Sequence, residues 1–136
     1  MRVFVDTNII VSAILFPKSK VAEAFSIILK EHCLVICQYT IEELEEVFRN
    51  KFPEKIGSIK KFMNELTYDI VDIPQKIDYS KYPKIRDQND LPILISAILS
   101  NSDILLTGDK DFEDIEIKKP VIMKPRDFII KYKDIR

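Results

Sequence analysis

What the chain has little of narrows its chemistry first. It carries one histidine, His32, and two cysteines, Cys33 and Cys37. A single histidine excludes a multi-histidine metal centre. The two cysteines lie in one apolar run. On a strand they share a face but stand roughly 13 Å apart along it, too far for a disulfide. Their expected role is core packing in a reducing cytoplasm. Basic residues are not in excess either, since 21 Lys and Arg face 22 Asp and Glu. Any nucleic-acid partner must then be held by a local patch or a metal, not by bulk charge. No apolar run is long enough to span a bilayer. The opening residues read as a strand ending in an acid, not as a signal peptide. No repeat, low-complexity tract or linker divides the chain. Residues 1–136 are therefore expected to form one domain with an adequate core.

What is present is organised around the first ten residues. Val3-Phe4-Val5 is a short run of strand-favouring residues that ends abruptly in Asp6-Thr7-Asn8. A buried short helix is expected over residues 9–16, stopped by Pro17. Ser19 can cap a second helix to about residue 30. Residues 33–37 read as a second buried strand. Thr40 is expected to open a helix over 40–51, and another follows over 54–68. A third strand is expected at 70–73, and residues 74–89 read as a polar loop. Asn89 or Asp90 then caps a strongly periodic helix, with Pro92 tolerated in its first turn. A fourth strand at 103–106 leads into the turn Thr107-Gly108-Asp109. A fifth at 121–123 precedes a terminal helix that starts at Pro125. Strands alternating with helices imply an α/β fold: a mainly parallel five-stranded sheet in a three-layer α/β/α sandwich.

In such a sheet, sites form outside the carboxyl ends of the strands. Asp6 follows the first strand and Asp109 the fourth. Asp90 caps the helix that leads into the fourth. Glu43 stands in the first turn of the helix after the second strand, on the flank of its apolar stripe. Four carboxylates gathered at one rim repel one another unless cations bind them. Oxygen-only ligands suit Mg²⁺ or Mn²⁺, ions that activate water and stabilise charge at phosphorus. Each acid also has a plain structural reading. Asp6 can be a polar strand end, Asp90 an N-cap and Asp109 a turn residue. Glu43 can close a capping box on Thr40.

Four motifs taken together carry a family resemblance. They are Asp6-Thr7-Asn8, Thr-x-x-Glu-Leu-x-x-Val from Thr40 to Val47, Arg-Asp-x-x-Asp from Arg86 to Asp90, and Leu-Thr-Gly-Asp-Lys-Asp-Phe from Leu106 to Phe112. With the closing Lys-Pro-Arg-Asp-Phe stretch, their order over essentially the whole chain resembles the PIN-domain family, and within it the VapC-like toxins of toxin–antitoxin pairs. The resemblance implies a metal-dependent endoribonuclease of RNA phosphodiesters, usually a homodimer, inhibited by a cognate antitoxin. It assigns catalysis and metal binding to Asp6, Glu43, Asp90 and Asp109. Asp111 is implied as an auxiliary metal ligand, and Asn8 and Thr107 as supporting polar residues. Asp87 is expected to stand behind the ligands at most. Lys18, Lys20, Arg49, Lys51, Arg86 and Lys110 are candidate RNA contacts.

Three other readings compete. A haloacid-dehalogenase-type phosphatase wants a second Asp where this chain has Asn8. A signalling receiver wants an acid pair at the first strand and a phospho-acceptor after the third, where Pro74 stands. The third is a catalytically inactive PIN-fold module that binds RNA or a partner without turnover.

Overall fold

Period-two alternation in the strands sets up two cores, one on each face of a single sheet. The computed structural model describes residues 1–73 and 76–133. Its strands are β1 (Arg2–Val5), β2 (Cys33–Cys37), β3 (Asp69–Val71), β4 (Ile104–Leu106) and β5 (Val121–Met123). All pair in parallel, in the order β3-β2-β1-β4-β5. Val3, Val5, Leu34, Ile36, Ile104 and Leu106 face one core. Phe4, Val35, Cys37 and Leu105 face the other.

Five helices close the first face: α1 (Thr7–Leu15), α2 (Lys20–Glu31), α3 (Gln38–Lys51), α4 (Ile56–Glu65) and α6 (Pro125–Tyr132). The second face is closed by α5 (Leu91–Leu99), together with Ile85 and Phe112. Every position of α5 from Ile93 to Ala97 is buried, which explains its nearly all-apolar sequence. The result is the expected α/β/α sandwich. No helix among the described residues is long and apolar enough to cross a membrane.

The strand order places β1 and β4 side by side, while the chain leaves them toward opposite edges. That is the switch point of a parallel sheet, where a crevice opens at the carboxyl ends. Asp6 and Thr107 directly follow these two strands.

Several local expectations shift. The first helix begins at Thr7, not residue 9, because the Asp6 side chain caps it by accepting the Ile9 N–H at 3.0 Å. The third helix begins at Gln38, two residues before Thr40. Thr40 is fully buried inside its first turn, where its hydroxyl meets the Cys37 sulfur at 3.3 Å. It therefore caps nothing, and the capping box does not form. Tertiary packing overrides the local signal here, with Tyr39 turned into the second core. The fourth helix is shorter than expected and is preceded by a 3₁₀ turn, Pro53–Lys55. The third strand is Asp69–Val71, one residue earlier than its expected start. The expected loop carries 3₁₀ turns at Tyr79–Lys81 and Gln88–Asp90, while Pro74 and Gln75 at its start lie outside the described residues. The connection from β4 to β5 holds only a 3₁₀ turn, Lys110–Phe112, where a full crossover helix is usual.

Candidate metal centre

Asp6 is the fixed point of the rim. It is 6% exposed, and both of its oxygens are engaged. One caps α1. The other accepts a hydrogen bond from the Thr107 hydroxyl, which in turn accepts the Asp109 N–H at 3.1 Å. The Asp109 carboxylate accepts the Asp111 N–H at 2.9 Å. This relay ties the residue after β1 to the whole turn after β4. Thr7, next to Asp6, donates its hydroxyl to Glu43 at 2.7 Å. Glu43 is thus aimed by α1 and not by its own helix cap, and it is half-buried while Glu42, Glu45 and Glu46 stay exposed.

Asp6, Glu43, Asp90 and Asp109 line one narrow cleft of about 50 Å³ together with Thr7, Asn8, Ile93 and Phe112. That volume holds little more than one or two water-sized groups. Asp90 reaches it from the 3₁₀ turn ahead of α5. It stands at the expected N-cap position of α5, but its side chain makes no capping bond. The turn is capped instead by Asp87, which accepts the Asn89 N–H at 2.9 Å.

The electrostatics of the cleft are unfavourable as it stands. Burial, reinforced by Asp109 and Glu43, pushes Asp6 up to about 6 despite its hydrogen bonds from Thr107 and Ile9. Burial, with Asp109, Asp87 and Asp111 close by, pushes Asp90 up to about 7. Burial also raises Glu43, against the Thr7 hydrogen bond. Asp90 Oδ2 is buried with no hydrogen-bond partner. A second grouping shares this residue: Asp87, Asp90 and Asp111 each bring one carboxylate oxygen within 4.8 Å of the others. The four acids offer carboxylate oxygens, one of them, Asp90 Oδ2, is buried without a partner, and no Lys or Arg lines the cleft. These residues fit a hard divalent cation.

Sequence reasoning placed the four cleft acids together correctly. Asp87, expected to stand behind the ligands at most, is exposed and lies with Asp90 and Asp111 in the second grouping. The candidate cations scatter. Arg86 is paired with Asp114. Arg49 and Lys51 sit in the last turn of α3, away from the rim that its first turn joins. Lys18 lines a separate groove beside Lys30 and Lys133. Lys110 is exposed on the turn between Asp109 and Asp111. Lys20 alone lines a groove next to the cleft. His32 lies at the opposite rim, edge-on to Phe128 and Tyr132, and both cysteines are free.

Comparison with known proteins agrees with this architecture. No curated protein matches the sequence. A chain in the crystal structure of VapBC2 from Rickettsia felis, bound to a DNA fragment from their promoter, has a similar fold, with a TM-score of 0.67. It is 24% identical, and the match covers 91% of this chain and 98% of that one. The family model of the PIN domain matches residues 2–111, the segment that holds every acid of the cleft. The chain belongs to the PIN domain family.

Proposed function

We propose that the chain is a metal-dependent endoribonuclease that hydrolyses RNA phosphodiester bonds, and that it is the toxin of a toxin–antitoxin pair. The observation that carries the nuclease reading is the partnerless Oδ2 of Asp90, buried among Asp87, Asp109 and Asp111. An acid cluster of this kind is destabilising unless a cation completes it. Membership of the PIN family and the fold shared with VapBC2 support the toxin reading. A cognate antitoxin and a homodimer come with that reading.

Asp6, Asp90 and Asp109 would hold Mg²⁺ or Mn²⁺, with Glu43 and Asp111 bound directly or through water. A divalent cation here supplies the positive charge that acidifies a water and stabilises charge gathering on a phosphate. The chain's own part is orientation. Asp6 is locked by Thr107 and the α1 backbone, so its carboxylate does not swing away. Glu43 is held by Thr7 at the edge of the cleft, where its raised affinity for a proton suits it to accept one from water. No Ser, Cys or His lines the cleft, the Thr7 hydroxyl is bonded to Glu43 and both Asp6 oxygens are engaged, which supports water as the attacking group.

The test is cleavage of a mixed RNA pool with Mg²⁺, Mn²⁺ or EDTA, run beside Asp6→Asn. Metal-dependent cutting that disappears in the variant is expected. Cutting that persists in EDTA or in Asp6→Asn would sink the mechanism. If neither protein cuts, Mn²⁺ titration separates an organised site from a dead one. Growth arrest on expression of the wild type, but not of Asp6→Asn, tests the toxin role.

A further inference from the structure

A second groove, of about 480 Å³, opens beside the acid cleft and shares Asn8 and Asp109 with it. Its walls carry three cations: Lys20, Lys124 and Arg126. All three stand at helix starts. Lys20 opens α2, Lys124 is the N-cap of α6 without a capping bond, and Arg126 lies in the first turn of α6. Helix N-termini carry partial positive charge and favour anions, so cations there work against their own helices. Lys20 is largely exposed, with only a 3.4 Å contact to Glu23, whose other oxygen already takes Lys133. Lys124 pairs with Glu113. Arg126 makes no ion pair among the described residues. Three cations thus line one groove that leads to a cluster of acids, with Glu23 and Asp127 in the first turns of the same two helices and Arg126 left without an ion pair among the described residues.

Gly108 lies on the same path, exposed between Thr107 and Asp109 and lining the groove. The backbone does not require glycine there. Its φ is outside the left-handed region, and an added β-carbon would meet no atom within 4 Å. A side chain there would enter open space at the wall of the groove.

Resting on the nuclease reading, we infer that this groove is the track of the RNA strand flanking the cleaved bond. Arg126, Lys20 and Lys124 hold successive phosphates, and Gly108 leaves clearance for the backbone to pass into the cleft. These contacts are to phosphates, so they position the strand without reading its sequence. The track also answers the charge problem of a chain with net charge −1, because it supplies a local positive path to an acidic centre.

The experiment is titration of fluorescently labelled, mixed-sequence single-stranded RNA across a range of NaCl concentrations. The parent is the Asp6→Asn chain, so that nothing is cut. It is compared with the same chain carrying Lys20→Gln and Arg126→Gln together, or Gly108→Leu. The double variant is expected to lower the slope of log K against log salt by about 1.4, or ~0.7 for each lost phosphate contact. Gly108→Leu is expected to weaken binding about tenfold, the scale of an intruding side chain in a packed contact, with the slope kept. In the otherwise wild-type chain neither change should alter Mn²⁺ binding. Melting of the double variant should hold or rise, since two misplaced cations leave helix starts. RNA binding unchanged in both variants overturns the track and leaves the nuclease reading standing. Failure of the parent to bind RNA at low salt also overturns the track, and the nuclease reading then falls only if cleavage is absent as well.

Discussion

Asp6 shows how a single side chain can serve fold and chemistry with opposite signs. As the N-cap of α1 it stabilises the helix start, by roughly 1 kcal/mol for a cap of this type. As a buried charge it is unfavourable, which is why its affinity for a proton is raised. Asp6→Asn keeps an oxygen to accept the Ile9 N–H, removes the charge, and turns the Thr107 bond round, because an amide nitrogen donates where Asp6 Oδ2 accepts. The expected outcome is a metal-free variant at pH 8 that melts at the same temperature as the wild type or higher, with much weaker Mn²⁺ binding. Thermal melting with and without EDTA checks it. Stabilisation on removing a buried charge is what a site held at a cost to the fold predicts. Of the residues at this scale, the gathering of Asp6, Glu43, Asp90 and Asp109 in one cleft was legible in the sequence because each stands just after a strand or near the start of a helix at one rim. The place of Asp87 beside Asp90 and Asp111 was not, because a turn-capping acid and an acid of a cluster look alike in sequence. Only the three-residue turn that sets it beside Asp90 and Asp111 separates them.

At the scale of elements, most of the fold was readable from apolar runs and their breaks. Strands β1, β2 and β4 are buried on both faces, so they appear as unbroken apolar stretches. Helix starts were less legible. Thr40-Ile41-Glu42-Glu43 carries a capping-box pattern, yet α3 starts earlier and Glu43 turns toward Thr7. The pattern is local, whereas the outcome was decided by Tyr39 and Thr40 entering the interior. A measurable difference follows. In a capping box, Glu43 supports its own helix. Here it is held by α1, so Glu43→Gln, which still accepts the Thr7 hydroxyl, should change folding stability by less than about 0.5 kcal/mol. The same substitution should weaken Mn²⁺ binding and RNA cleavage. Denaturant unfolding beside metal titration separates the two effects.

The whole molecule brings these acids together because the strand order reverses between β1 and β4, and no local segment contains that information. The same gathering makes stability depend on pH and metal in a predictable direction. Asp6 and Asp90 bind protons more tightly in the folded chain than in the unfolded one, with values near 6 and 7 against an ordinary 3.8. Between about pH 4 and pH 7 the folded state therefore holds more protons than the unfolded state, and stability falls as pH rises through that window. The metal-free chain should melt higher at pH 5 than at pH 8. A divalent cation competes for the same oxygens, so its binding should strengthen over the same rise in pH. At a concentration 100 times its dissociation constant, a cation bound only by the folded chain adds about 2.7 kcal/mol, several degrees in melting temperature for a domain of this size. Melting in EDTA and in Mn²⁺ at pH 5 and pH 8 should therefore show two slopes of opposite sense. EDTA should favour the lower pH, and the gain from Mn²⁺ should be largest at the higher one. Equal gains at both pH values would mean that the cation binds somewhere other than these carboxylates.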